Sequence, residues 1–163
     1  MEIAKYNKSL QKIIDIGLIN YKIYSGKYII YESNRIRREY NGYNDMLIFE
    51  GEYLDGKRNG KGKEYGYYDE RRNKSNLIFQ GEYFNGKRNG KGIEYDGGTL
   101  RFEGEFLNGK RNGKGKEYYE NGNLLFEGEY LNGKRNGKGK EYDYNGELLF
   151  ESEYLNGKKI SSN

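Results

Sequence analysis

The sequence contains no cysteine, histidine, proline or tryptophan among its 163 residues. Without cysteine, the chain forms no disulfide and offers no thiol nucleophile or thiolate metal ligand. Without histidine, it lacks the side chain that most often transfers protons near pH 7 and most often binds metals. We therefore expect a protein that is not an enzyme, with no catalytic residues, no metal site and no cofactor.

Long hydrophobic segments are also missing. No apolar run approaches the roughly 20 residues that a membrane-spanning helix needs. The first residues, MEIAKYNKSLQKIIDIGLIN, have an early acidic residue and no long apolar block, so they do not read as a secretion signal. We expect a cytoplasmic protein, or one bound peripherally at the cytosolic face of a membrane.

Glycine and tyrosine are the residues that the chain has in abundance, with 25 glycines, 19 tyrosines and seven phenylalanines. Disordered segments are poor in aromatic residues, so regularly spaced tyrosines indicate a folded, β-rich chain. The net charge is +4, and the excess lies mostly in residues 1–48. A nucleic-acid binder usually carries a stronger basic excess, and tyrosines at core positions could not stack on bases. We expect no nucleic-acid partner.

A tandem repeat with a step of 23–25 residues dominates the sequence. Four copies are FEGEYLDGKRNGKGKEY (49–65), FQGEYFNGKRNGKGIEY (79–95), FEGEFLNGKRNGKGKEY (102–118) and FEGEYLNGKRNGKGKEY (126–142). A partial unit begins at Phe150, and a degenerate unit covers 24–48. The recognisable positions of the degenerate unit are Tyr24, Gly26, Tyr28, Glu39 and Tyr40. One longer step holds a charged insertion, GYYDERRNKSN (66–76), which we expect in a loop on one face of the array.

We divide the chain into three parts. Residues 1–23 form an N-terminal cap segment, where apolar residues at a helical spacing predict a short helix over about 2–15. This helix would cover the first sheet edge, and its alternative is a helix on a membrane surface. Residues 24–157 form the repeat array. Residues 158–163 form a C-terminal tail without a return strand.

Each unit reads as a β-hairpin. In the unit that starts at Phe102, apolar residues and glycine alternate with glutamates, as on a strand with one buried face. The segment 108–113 is rich in Asn-Gly, which tolerates positive φ in hairpin turns. The return strand follows from Lys114. The predicted fold is all-β: an elongated, twisted antiparallel sheet of stacked β-hairpins.

A strand register follows from the charges. If Glu105 faces Lys114, then Glu103 faces Lys116 and Gly104 lies opposite Gly115. The glycines leave room for an aromatic ring to lie across them. The same register places Phe106 opposite Gly113. Alternation fails along the return strand, which predicts a glycine bulge near 113–115. Cross-strand Glu–Lys pairs are the expected role of the repeated glutamates, in preference to a glycosidase carboxylate pair.

The heptapeptide GKRNGKG is not a phosphate-binding P-loop. A P-loop has four residues between its glycines and a Ser or Thr after the lysine, and a helix follows it. Here three residues separate Gly109 from Gly113, glycine follows Lys114, and no helical pattern follows. The segment recurs with the architecture, which indicates a structural role in each unit.

The repeated motif resembles the MORN (membrane occupation and recognition nexus) repeat family, in the variant form common in bacterial sequences. The resemblance covers 49–157 strongly and 24–48 faintly, with Tyr or Phe and Asn in place of the family's usual Trp and His. It implies an elongated sheet of stacked hairpins that serves as a scaffold, tether or accessory module. Some members are linked to membranes or acidic phospholipids, and the repeat itself carries no catalytic residues.

We therefore expect a non-enzymatic scaffold that binds a protein partner along its sheet face or open edge, with self-association through a sheet edge as a further option. The alternative is a peripheral membrane module that binds anionic phospholipids through Lys-Arg pairs at the turn tips. The candidate lipid or partner contacts are Lys57, Arg58, Lys87, Arg88, Lys110, Arg111, Lys134 and Arg135. The candidate contacts in the insertion are Arg71, Arg72 and Lys74.

Overall fold

The computed structural model describes residues 26–31, 35–69 and 74–160. Over these residues the chain forms one open antiparallel sheet of twelve strands, each paired with its neighbours in sequence. The strands are β1 Lys27–Tyr31, β2 Ile36–Asn41, β3 Leu47–Leu54, β4 Lys57–Asp69, β5 Lys74–Phe84, β6 Lys87–Asp96, β7 Thr99–Leu107, β8 Lys110–Tyr118, β9 Leu124–Leu131, β10 Lys134–Tyr142, β11 Leu148–Leu155 and β12 Lys158–Ile160. The predicted fold of stacked hairpins is confirmed, and at about 4.8 Å per strand the sheet extends about 50 Å. The predicted helix over 2–15 lies outside the described residues.

A two-residue turn closes the hairpin within each unit. Asn108 and Gly109 have φ angles of 52° and 85°, the pair of positive values that a type I′ turn requires. The N–H of Gly109 donates to the carbonyl of Arg88 in the preceding unit at 2.8 Å, which anchors the turn to its neighbour. Strand β8 already begins at Lys110. The predicted turn over 108–113 is therefore wrong beyond Gly109.

The second Asn-Gly pair forms a bulge in the return strand. Phe106 lies opposite Arg111, not opposite Gly113 as predicted, because the register shifts over 112–114. Gly113 has a φ of 91° there, which confirms a glycine bulge in this region. Gly113 instead lies opposite Tyr130, an aromatic residue of the next unit. One dipeptide thus serves two purposes in each unit, first as a turn and then as a bulge.

Glycines form a continuous row across eight strands. The predicted register is confirmed in its centre, where Gly104 lies opposite Gly115 and Glu103 opposite Lys116. A Cβ atom on Gly104 would lie 2.7 Å from the Phe102 ring. The ring therefore occupies the space that a side chain at this position would need. The row consists of Gly51, Gly62, Gly81, Gly92, Gly104, Gly115, Gly128 and Gly139.

The core is a zigzag of aromatic rings on one side of the sheet, which we call the ring face. The rings are Phe49, Tyr53, Phe79, Tyr83, Phe102, Phe106, Phe126, Tyr130 and Tyr154, all buried. Phe102 contacts Phe106 of its own unit at 5.5 Å between centroids and Tyr130 of the next unit at 5.2 Å, both edge-to-face. Each phenylalanine of this zigzag therefore couples its own unit to a neighbouring one.

The two ends of the sheet differ from the predictions. Ile29 lies opposite Glu39 in the same way that Phe49 lies opposite Glu64 in the next unit. Ile29 therefore occupies the first aromatic position of the repeat in the degenerate unit, and the prediction that Tyr28 occupies the second aromatic position is wrong. At the other end, Lys158–Ile160 forms a short return strand against β11. The predicted tail without a return strand is therefore wrong at its first three residues.

Candidate interaction surfaces

The arginine of each GKRNGKG segment lies on the ring face and not at a turn tip. The guanidinium carbon of Arg111 lies 4.1 Å from the centroid of the Phe102 ring, in cation–π geometry. Its nitrogens lie 2.7 Å from a Glu94 oxygen and 3.0 Å from a Glu117 oxygen. Its side chain is 27% exposed. The arginine covers its own phenylalanine and joins the carboxylates of two units.

These contacts repeat to form one ladder of alternating charge. The ladder runs Glu39–Arg58 (3.0 Å), Arg58–Glu64 (3.5 Å), Glu64–Arg88 (2.8 Å), Arg88–Glu94 (2.9 Å), Glu94–Arg111 (2.7 Å), Arg111–Glu117 (3.0 Å), Glu117–Arg135 (2.5 Å) and Arg135–Glu141. Every internal glutamate therefore binds two arginines. Removing one internal member would leave each neighbouring charge with one partner in place of two at a partly buried position, which is costly.

The ladder corrects the predicted location of four candidate contacts. Arg58, Arg88, Arg111 and Arg135 were expected beside lysines at turn tips, free to contact a lipid headgroup. Each instead lies on a strand, stacks over a phenylalanine and binds two glutamates. The sequence does not reveal these ion pairs. One glutamate lies six residues after the arginine and the other lies in the preceding unit, and both reach the arginine only in the register of the folded sheet.

Glu39 begins the ladder and is the buried acidic residue of the described part, at 4% exposure. Burial alone would raise the pKa of Glu39, but hydrogen bonds from Lys27 and Tyr53 and the charge of Arg58 lower it below its ordinary value of 4.5. Burial and the contact with the Glu39 carboxylate raise the pKa of Tyr53 to about 12. The degenerate first unit thus keeps the electrostatic role of a full repeat.

Acidification is expected to destabilise the array partly through Glu39. Because the pKa of Glu39 is lower in the folded chain than in the unfolded chain, its contribution to stability is present above its ordinary pKa of 4.5 and is lost as the pH falls below that value. Denaturant unfolding at a series of pH values should show a stability difference between the parent and Glu39→Gln that narrows with acidification. Glu120→Gln, at an exposed turn, is the control. If the difference in unfolding free energy between the parent and Glu39→Gln stayed constant with pH, it would contradict the lowered pKa of Glu39.

The lysine of each turn lies on an exposed edge beside an apolar residue. Lys110 is the first residue of β8 and lies directly opposite Leu107, which is 50% exposed. By strand alternation from the buried Phe106, this pair lies on the side away from the ring face. We call the set of such pairs the rim: Leu54 with Lys57, Phe84 with Lys87, Leu107 with Lys110, Leu131 with Lys134 and Leu155 with Lys158.

The insertion extends a hairpin within the sheet. Its flanks lengthen β4 and β5, with Tyr68 opposite Ser75 and Asp69 opposite Lys74. The expected loop is therefore shorter than 66–76. Of the candidate contacts, Lys74 lies at the start of β5, whereas Arg71 and Arg72 lie outside the described residues.

The face opposite the rings forms a groove of about 1050 Å³ that crosses β6 to β11. Glycines of the row form its floor. Strands β7, β9 and β11 each place two glutamates on its sides, and β8 and β10 each place two lysines there. With neighbouring strands about 4.8 Å apart, stripes of the same charge recur about every 10 Å. The groove is polar, open and almost balanced in charge.

Several groove lysines lack the ion pairs that the sequence predicts. Lys116 lies opposite Glu103 in register, but Glu103 accepts a hydrogen bond of 2.5 Å from the Tyr118 hydroxyl. Among the described residues, Lys114, Lys116 and Lys138 form no ion pair, whereas Lys140 does, with Glu151 at 3.0 Å. Burial and the neighbouring carboxylate raise the pKa of Tyr118. The core position predicted for return-strand tyrosines is therefore wrong for Tyr118.

The repeat also matches an established family. The sequence model of the MORN repeat matches residues 49–67, 79–99, 102–124 and 126–147, just over half of the chain. The chain belongs to the MORN repeat family. MORN repeats typically serve as modules for contacts with proteins or membranes, and each match here begins at the phenylalanine that opens a unit.

Two crystal structures of TarM show a weak likeness to this MORN-repeat chain. One is 12% identical with a TM-score of 0.33, and the match covers 94% of this chain and 23% of TarM. The other is a TarM mutant from S. aureus in complex with fondaparinux, alpha-GlcNAc-glycerol and UDP, with the same identity and TM-score and a coverage of 94% and 24%. The chain thus spans about a quarter of the length of these proteins. No curated protein matches it.

Two kinds of site are absent from the part of the MORN array that the structure describes. Across the described residues, no group of three or more acidic side chains is arranged to hold a metal ion. Nor does the described part contain a helix long and apolar enough to cross a bilayer. The groove and the rim are surfaces on which exposed side chains recur in regular rows. Sequence reasoning missed the rim, although its signal is an apolar residue directly before the Asn-Gly or Asp-Gly pair of the hairpin turn. This signal is present in the five units that begin at Phe49, Phe79, Phe102, Phe126 and Phe150.

Proposed function

We propose that this chain is a non-enzymatic interaction module that holds a protein partner against the groove. The observation that carries the proposal is the groove itself, which extends across six strands and presents lysines without ion partners beside exposed carboxylates. The sheet fixes the backbone positions of these charged groups, so a partner has to order only their side chains when it binds. Since the ring face is covered by its own arginines, the groove is the sheet face left for a partner.

The chemistry of the groove favours a partner with charges of both signs. Acidic groups on the partner would meet Lys114 and Lys138, and basic groups would meet Glu105 and Glu129 on the strands between them. Such complementarity contributes more to specificity and association rate than to affinity. Binding should therefore weaken with added salt, because these groups are open to solvent.

Neutralising two groove lysines is expected to weaken the affinity for the partner by about tenfold or more, which corresponds to a loss of about 1.4 kcal/mol or more in binding free energy. The full chain and the double variant Lys114→Gln/Lys138→Gln are used to capture proteins from an extract of the source cells. Lys61→Gln/Lys159→Gln removes the same charge outside both the groove and the rim and should keep the captured protein. If no protein is recovered above background, or if both variants recover the same amount, the proposal fails.

The alternative function is binding to an anionic membrane surface. The supporting observation is that Lys57, Lys87, Lys110 and Lys134 remain exposed along one edge, at a spacing of about 10 Å. Sedimentation with anionic vesicles at two salt concentrations separates the two functions. Binding that weakens with salt would favour the membrane alternative, and absence of binding would remove it. The cytosol, or the cytosolic side of a membrane, is the proposed location in both cases.

A further inference from the structure

The rim is an exposed apolar and basic row along one edge of the sheet. Its apolar side chains remain between 49% and 59% exposed, whereas the aromatic rings at the two core positions of each full repeat are buried. Each apolar residue has a lysine directly opposite it across the turn. Five such pairs follow one another along the array. An ordered row of this kind is unlike singly scattered surface residues and indicates an interaction site.

The lysines of the rim have no internal carboxylate partner. Lys57, Lys87, Lys110, Lys134 and Lys158 form no ion pair among the described residues. In two units, the strand glutamate that precedes the turn is engaged elsewhere: the carboxylates of Glu52 and Glu82 accept the backbone N–H groups of Lys61 and Lys91 at the bulges, both at 3.1 Å. The rim therefore presents solvent-exposed cations that can pair with carboxylates of another molecule.

The period of the rim equals about two turns of an α-helix. Two strands advance about 10 Å, and seven helical residues advance about 10.5 Å. We propose that the rim binds an acidic amphipathic α-helix that runs across the strands and places one apolar side chain per heptad on successive rim positions. Glutamate or aspartate residues next to each apolar side chain would face the rim lysines. This inference goes beyond the proposed function, because the rim can be occupied while the groove is empty.

An extended strand fits the rim less well than a helix. Three extended residues also advance about 10 Å, but residues three apart on a strand point to opposite sides. A helix repeats the same side after seven residues and satisfies its own backbone hydrogen bonds, so it can lie on an apolar row. A flat anionic bilayer also fits less well, because the adjoining groove face carries the carboxylates of Glu105, Glu129 and Glu153.

Synthetic helices test the period directly. The probe is a labelled peptide of about 28 residues, long enough to form a helix, with leucine at one position of each heptad and glutamates beside it. The control peptide has the same composition, with its leucines five residues apart. Fluorescence anisotropy with the full chain should show the heptad peptide binding at least about tenfold more tightly, and more weakly as salt is added. Equal affinity for the two peptides would overturn the proposal.

Paired variants separate the rim from the groove. Leu107→Ser/Leu131→Ser and Lys110→Gln/Lys134→Gln should each weaken the heptad peptide at least about tenfold, and the lysine variant should also flatten the salt dependence. The groove variant Lys114→Gln/Lys138→Gln should leave peptide affinity within about twofold. Circular dichroism and denaturant unfolding check that the variants fold. If only the groove variant lost affinity for the heptad peptide, the inference would be overturned. It would also be overturned if Leu107 and Leu131 were needed for binding to anionic vesicles while the chain bound the heptad and control peptides equally.

Discussion

Phe102→Ala is expected to lower the free energy of unfolding by about 3–5 kcal/mol, the range for removing a large ring from a core. The Phe102 ring is fully buried and contacts Phe106, Tyr130 and the guanidinium of Arg111. Its loss opens a cavity between two units and leaves the arginine without the surface on which it lies. Denaturant unfolding followed by circular dichroism measures the change.

Phe84→Ala is the matched control, because Phe84 is 59% exposed on the rim. We expect a change of less than about 1 kcal/mol there. In an array whose units contact only their neighbours, Phe102→Ala can also separate the units before and after it. A lower denaturant slope or a second transition would report that separation. Similar losses for the two alanine variants would contradict the ring zigzag as the source of stability.

The sequence was sufficient to predict the sheet, its hairpins and the centre of the register. The alternation around Gly104 and the charges of Glu103 and Lys116 are local properties that a strand imposes directly. The mismatch along the return strand also predicted a bulge, because two glycines and a tyrosine could not share one face. These inferences concern residues whose partners are a short distance away in the same unit.

The sequence could not distinguish the two Asn-Gly pairs of each unit. Both tolerate positive φ, so both were assigned to one long turn that included Arg111. The structure uses the first pair as a type I′ turn and the second as a bulge. That difference moves Arg111 from a turn tip to the ring face, where it meets Glu94, 17 residues earlier. A contact between repeats of this kind has no local signal in one unit.

The candidate surfaces also depend on contacts that the sequence of a single unit does not specify. Glutamates and lysines on facing strands were expected to pair, but the Tyr118 hydroxyl takes Glu103, and Lys116 faces the groove without an ion partner. The position of Tyr118 depends on where the bulge falls, which composition does not specify. The rim could have been found from the sequence, since Leu107 and its equivalents directly precede the first Asn-Gly or Asp-Gly pair of their units. It was missed because exposed leucines are common and only their alignment across units distinguishes them.

Gly104→Ala is expected to destabilise the array by about 3 kcal/mol, at the upper end of the usual cost of overpacking. A Cβ atom there would lie 2.6 Å from the carbonyl oxygen of Lys114, and 2.7 Å from both the Cα atom of Gly115 and the Phe102 ring. Two of these three atoms belong to the backbone of the paired strand, so the strands must separate to admit the methyl group. The ring cannot withdraw either, because it is fully buried.

The sign of the change decides between this explanation and a purely conformational role for glycine. Where no clash occurs, replacing glycine by alanine stabilises a chain by about 0.4–1 kcal/mol through the unfolded state. Ser152 occupies the same motif position in the last unit, where β12 pairs only with Glu153, Tyr154 and Leu155. Ser152→Ala should therefore change stability by less than about 0.5 kcal/mol. Thermal or denaturant unfolding that shows Gly104→Ala as stable as the parent, or more stable, would mean that the glycine row does not hold the rings in place.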